Sequence, residues 1–155
     1  MGSKESREIL RYFNDFEGVL DKSGIVTDRS ALRKSPQAGI IRTIGGKQKQ
    51  SKDPSGIQLI DGSTLSFTEQ VEVQEGKIRV INYTYRYLAK DNEFTFRYDK
   101  DTKYGGADIV KKDKGHTLWH PECHLHYLDK EDPRYKTHET NLEEILNFIK
   151  YSFFS

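Results

Sequence analysis

Polar and apolar residues alternate through the middle of the chain closely enough for strands to be read from them. Leu65, Phe67, Val71 and Val73 take every second position, with Ser66, Thr68, Gln70 and Glu72 between them. A period of two sends one set toward a core and the other away from it, which predicts a strand. A turn at Gln74, Glu75 and Gly76 leads into residues 77–88, a long run rich in β-branched and aromatic side chains. Lys90, Asp91 and Asn92 turn the chain again into residues 93–98, so the three runs predict an antiparallel meander. Residues 39–44 read as a further short strand ended by Gly45 and Gly46, and residues 47–56 as a polar loop. Residues 99–116, charged and glycine-bearing, read as a long mobile connection. A strand over residues 119–128 would face Cys123, Leu125 and Tyr127 one way and His124 and His126 the other.

At both ends the period becomes that of a helix. Over residues 4–17, Ile9, Phe13 and Phe16 share one side with Leu10 beside them, Ser3 is available as N-cap and Gly18 as a stop. Near the C-terminus, Thr140, Asn141, Leu142 and Glu143 spell a capping box. Leu142, Ile145, Leu146, Ile149 and Phe153 follow as an apolar stripe. The pattern predicts an α+β fold: an antiparallel meander of three to five strands packed against N-terminal and C-terminal helices. No repeat or second domain is visible, so residues 1–155 read as one domain.

Composition narrows the function classes. At 155 residues the chain is long enough to bury a core, and nine Tyr with eight Phe argue against disorder. A net charge of +1 excludes a uniformly basic surface, so a nucleic acid would have to meet a local patch. One cysteine allows no internal disulfide and fits a reducing cytoplasm. No apolar run approaches the roughly 20 residues that cross a bilayer, and no apolar signal core opens the chain. The expectation is a cytoplasmic protein with no membrane partner.

Candidate chemistry concentrates in a few places. Four of five histidines, His116, His120, His124 and His126, lie within eleven residues. Imidazole can exchange protons near neutral pH, bind metals or meet phosphate as a cation. His124 and His126 on one strand face could flank a phosphodiester, one activating the 2′-hydroxyl and one protonating the leaving oxygen, while Arg97 offsets the phosphorane charge. Cleavage of that kind needs no cofactor. The alternative is a divalent metal such as zinc held among His116, His120, Cys123, His124 and His126, although this spacing matches no common zinc signature. Glu69 sits in the apolar row of its strand, where a carboxylate must be paired or raised in pKa; it is either a general acid or base, or a partner of an Arg at a sheet rim. A three-residue turn at residues 74–76 would set it opposite Ile81, with Tyr83 and Tyr85 on its side. Whether Arg97 and Asp99 share that face depends on the length of the second turn. An RNA substrate could be drawn in by Lys111, Lys112 and Lys114 or by Lys47, Lys49 and Lys52, and its bases stacked on Tyr83, Tyr85, Tyr87 or Tyr98. Solvated loops and core aromatics are the plainer readings of both groups.

The ordered set of Asp61-Gly-Ser-Thr-Leu-Ser-Phe-Thr-Glu69, Tyr83-Thr-Tyr85, Phe96-Arg-Tyr-Asp99 and His124-Leu-His126, closed by an amphipathic helix, resembles the TumE family. The likeness covers about residues 57–150 and leaves residues 1–56 unmatched. In two places the chain differs: Lys100 stands where the family has Asn, and Cys123 where it has the first of three histidines. The resemblance implies a toxin of a prokaryotic toxin–antitoxin module, a helix-turn-helix antitoxin as partner, and site positions at Glu69, Arg97, Asp99, His124 and His126. Residue types add the expectation of a metal-independent endoribonuclease. Its alternatives are a metal-dependent nuclease or nucleotide-acting enzyme, or a non-catalytic module that binds nucleic acid or protein. A homodimer is left open.

Overall fold

The computed structural model describes residues 3–44, 56–91, 95–102, 109–113, 116–119, 121–128 and 134–154. At its centre is the meander: β5 (Thr64–Gln74), β6 (Lys77–Leu88) and β7 (Thr95–Asp101), following β1 (Val26–Asp28), β2 (Leu32–Ser35), β3 (Ile40–Thr43) and β4 (Ile57–Leu59). Beyond it come β8 (Ile109–Asp113), β9 (His116–Trp119), β10 (Cys123–Tyr127) and β11 (Tyr135–Lys136). Nine of these form one sheet in the order β1-β4-β5-β6-β7-β10-β11, with β3 also pairing β5 and β2 pairing β3. The α+β class holds, with more strands than the three to five expected. The additions are two to four residues long, too short for a period to show.

Two local expectations change. Residues 99–116 are not all connection: β7 runs on to Asp101, and Ile109 and Val110 pair with Trp119 and Leu118 in a separate β8–β9 hairpin. Trp119 therefore belongs to that hairpin and not to the strand bearing His124. Helix α1 (Ser3–Lys22) passes straight through Gly18 and includes Ser3. Leu20 explains this, because it extends the stripe of Ile9, Phe13 and Phe16 and is fully buried. Burying a leucine outweighs the roughly 1 kcal/mol that an internal glycine costs. The stop comes at Ser23, whose amide and hydroxyl both donate to the Leu20 carbonyl, followed by Gly24 at φ 76°.

Helix α2 (Leu142–Phe153) starts one residue later than the expected box. Asn141 is the cap, accepting from the Glu144 amide at 2.9 Å, and the Glu144 carboxylate accepts from Thr140 Oγ1 at 3.1 Å. Both helices lie on one face of the sheet. Ile9, Phe13, Phe16 and Leu20 join Leu142, Ile145, Leu146 and Ile149 over Leu65, Phe67, Tyr83, Tyr85, Tyr87 and Phe96. Phe16 meets Phe67 at 5.1 Å between ring centres, and Phe153 stacks on Tyr87 at 5.3 Å. No helix among the described residues is long and apolar enough to cross a membrane.

Turn geometry fixes which side chains share this face. The first turn has two residues, Glu75 (φ 52°) and Gly76 (φ 75°), both left-handed as a tight hairpin demands. A bulge at Ile81 of β6, opposite the Gln70–Val71 step, then slips the register, so Glu69 lies opposite Tyr83 rather than Ile81. A shorter turn and an added bulge residue cancel in parity, and Glu69 keeps its place among the core positions. It is 1% exposed, with one carboxylate oxygen accepting from Tyr12 of α1 and the other from Tyr85 of β6. Burial raises its pKa above the usual value, opposed by the two phenol hydrogen bonds.

A folded chain that holds this proton more tightly than the unfolded one is stabilised below about pH 4.3, the ordinary glutamate value, and loses that contribution as pH rises through the raised folded value. Glu69→Gln should flatten this decline in denaturant titrations run from about pH 4 to pH 8. Equal slopes in both proteins would contradict the assignment. Glu69→Ala, which strands the buried Tyr85 phenol and the half-buried Tyr12 phenol, should cost roughly 1–4 kcal/mol.

Candidate active site

The other face of the sheet carries the polar half of each alternating strand. Leu88 pairs with Thr95, so residues 89–94 form a six-residue connection between β6 and β7. An even number turns Arg97 and Asp99 away from Glu69 and sets them beside Arg86 and Thr84. Strand β10 pairs with β7 so that His124 lies opposite Asp99 and His126 opposite Arg97. Three cross-strand rows result: Gln70, Asn82 and Asp101; Thr68, Thr84, Asp99 and His124; Ser66, Arg86, Arg97 and His126. A cleft of about 480 Å³ opens over the first two rows and reaches Arg97, His126 and Arg134.

Asp99 gathers the cluster. Its Oδ2 lies 3.3 Å from His124 Nε2, 3.2 Å from His126 Nε2 and 3.0 Å from Arg97 Nε. The two imidazoles are 2% and 1% exposed, with ring centres 4.8 Å apart at 81°. Burial alone would raise the Asp99 pKa, but hydrogen bonds from both histidines and the Arg97 charge outweigh it and hold the carboxyl well below the usual range. Asp99 is therefore an anion at neutral pH. Its second oxygen, Oδ1, is buried and has no hydrogen-bond partner among the described residues.

His124 carries a further constraint. Its Nδ1 lies 2.8 Å from the Pro121 carbonyl, which can only accept, so Nδ1 bears a proton. Its Nε2 then faces an ionised carboxylate, which also only accepts. Either a second ring proton or a cation between nitrogen and oxygen satisfies that contact. Asp99, His124 and His126 present ligand atoms within 4.8 Å of one another, a set that could hold a metal ion.

The remaining sequence candidates fall elsewhere. Glu69 sits on the helix-covered face and does not join Arg97, Asp99, His124 and His126, because the even connection reverses the parity. Tyr83 and Tyr85 are 3% and 0% exposed in the core, so neither offers a ring for a base to stack on. Tyr83 accepts the Thr140 amide and Tyr85 donates to Glu69. Cys123 alternates away from the histidines toward Tyr83 and Lys100, so in the metal set suggested by the sequence it gives way to Asp99. His116, Lys111 and Lys112 lie in the β8–β9 hairpin, whereas His120, Lys114, Lys47, Lys49 and Lys52 fall outside the described residues. Gln70, Asn82 and Thr84 line the cleft and were not singled out from sequence. Their only signal was membership of the polar set in strands whose other set is core, and that set reads as solvent-facing.

Residues 19–152 match the family model described as Toxin TumE, and the chain belongs to that family. The match extends toward the N-terminus well beyond the segment that carried the resemblance, taking in strands β1 to β3. It makes the protein the toxin component of a toxin–antitoxin module and implies an antitoxin partner. No curated protein and no solved structure matches the chain.

The placement of Cys123 has a direct check. Burial raises its thiol pKa, with the Tyr83 hydrogen bond and the Lys100 charge opposing. Iodoacetamide at neutral pH should label the native protein at least about tenfold more slowly than the urea-unfolded chain. Equal rates would place the thiol in solvent.

Proposed function

We propose that this toxin is an endoribonuclease that binds RNA in the cleft on the open face and cuts it without a metal. The observation that carries this reading is the convergence of two imidazoles and a guanidinium on one half-buried carboxylate. RNA supplies its own nucleophile, so the protein need only move protons and offset charge. His126 accepts the proton of the 2′-hydroxyl as that oxygen attacks the adjacent phosphorus. His124, protonated on both nitrogens, donates from Nε2 to the 5′-oxygen as the P–O5′ bond breaks. Arg97 balances charge on the phosphorane, and Asp99 orients all three side chains. The products are a 2′,3′-cyclic phosphate and a free 5′-hydroxyl.

The contacts of Asp99 favour a second reading. Ligands bound at about 2.0–2.1 Å around a tetrahedral zinc lie roughly 3.3–3.4 Å apart, close to the 3.2 and 3.3 Å between the imidazole nitrogens and Oδ2. Asp99 Oδ1, which has no hydrogen-bond partner among the described residues, is a further donor. Asp99, His124 and His126 would hold the ion, which would supply Lewis-acid activation of the phosphate. The family's antitoxin we take to be a helix-turn-helix protein encoded beside the toxin.

Purified toxin should cut RNA in EDTA, leave cyclic phosphate ends and spare the matching DNA. His124→Ala and His126→Ala should each slow cleavage at least about a hundredfold with the circular dichroism spectrum unchanged. Folded variants that cut at the wild-type rate would remove these residues from the chemistry. Cleavage lost in EDTA and restored by zinc or manganese would move the conclusion to the metal-assisted reading.

A further inference from the structure

The cleft continues past Asp99 to a pair of amides whose orientation the backbone fixes. Asn82 Oδ1 accepts from the Thr102 backbone amide at 3.2 Å. A backbone N–H can only donate, so this Asn82 atom is the carbonyl oxygen and the other is the NH₂ group. That NH₂ group donates across the strands to Gln70 Oε1 at 3.2 Å. The Gln70 oxygen is thereby identified as well, which leaves its NH₂ group as the last donor of the chain, on a half-buried side chain in the wall of the cleft. Thr102 to Asn82 to Gln70 is a relay in which every amide has one allowed direction.

The backbone around Gln70 is built to hold this position. The β5–β6 register shifts at the Gln70–Val71 step, where Ile81 of β6 is the extra residue, and bulges beside active sites re-aim side chains. On β5, Val71 is clamped by Gly39, whose carbonyl accepts the Val71 amide at 2.7 Å. Gly39 has φ 71°, and a Cβ there would stand 2.2 Å from the Val71 carbonyl oxygen, so only glycine allows the approach. Gln70 lies two strands across from Asp99 and one row along, about 12 Å away by sheet spacings of about 4.8 and 3.3 Å. From a phosphate held at the histidines, that is the reach to the edge of a neighbouring base.

We propose that Gln70 reads a nucleobase next to the scissile phosphate and selects keto bases over amino bases. Uracil and guanine present a carbonyl oxygen where cytosine and adenine present an amino group. A fixed NH₂ donor pairs with the first pair and meets another donor in the second. The inference rests on the reading of this cleft as an RNA-cleaving site and names the substrate feature that site accepts. One well-placed hydrogen bond gives about five- to tenfold discrimination.

The test substitutes Gln70→Glu, which keeps the oxygen that Asn82 bonds and turns the remaining NH₂ into an acceptor. Cleavage of an RNA with one randomised position is compared by end sequencing for wild type and variant, as the keto-to-amino ratio and not as total rate. In parallel, four 2′-O-methyl trinucleotides differing in that base, which cannot be cut, are titrated into both proteins. Wild type should favour uracil and guanine about five- to tenfold, and Gln70→Glu should reverse the preference. Gln70→Ser should bring the ratio close to one. RNA cut by wild type and Gln70→Glu with the same base profile, or trinucleotides bound without base preference or not at all, would overturn the inference. A preference in trinucleotide binding that reverses in the variant, with no cleavage by either protein, would leave the inference standing and remove the ribonuclease reading.

Discussion

One carboxylate oxygen organises the polar face of this sheet. Asp99 Oδ2 meets Nε2 of both histidines and Nε of Arg97, and these groups come from two neighbouring strands in register. Without an anion at that point, two imidazoles and a guanidinium would be held together with nothing to offset them. Repulsion and desolvation would then drive them apart. With it, the histidines can stay almost wholly buried while the cleft runs past them. The toxin's candidate chemistry depends on this arrangement and on the strand pairing that delivers it.

The same sheet holds a second carboxylate, this one buried, and treats it in the opposite way. Glu69 is surrounded by core side chains, and burial raises its pKa against the opposing hydrogen bonds from two neutral phenols. Asp99 receives charge-assisted donors, so its pKa falls. Two acids a few strands apart are assigned different work by what surrounds them: Glu69 ties helix α1 to the sheet, and Asp99 holds a reactive cluster. Parity of the pleat separates them, since a side chain on one face of a sheet cannot reach the other.

Much of this was legible in the sequence where period decides the matter. Alternation in residues 65–88 sorted core from polar positions correctly, and it placed His124 and His126 opposite Cys123, Leu125 and Tyr127. The stripe of Leu142, Ile145, Leu146 and Ile149 marked the last helix. What was not legible depends on counts that local pattern does not fix. The length of the connection after Leu88 determines which face Asp99 takes, and it divided Glu69 from the other site residues. The shorter turn and the extra residue Ile81 of β6 together moved the partner of Glu69 from Ile81 to Tyr83. Strands of two to four residues carry no readable period, and a buried Leu20 overrode the stop signal of Gly18. The amide relay escaped notice because Gln70 and Asn82 look like ordinary solvent-facing positions until pairing sets them side by side.

The most direct check of the open face as the working site is an NMR titration that follows the imidazole resonances while an uncleavable 2′-O-methyl RNA is added. The His124 and His126 signals should move together and saturate with the RNA, and Asp99→Asn should uncouple the two. If both signals stay still while the RNA binds elsewhere on the protein, this cluster does not contact the substrate and the account of the toxin's chemistry fails.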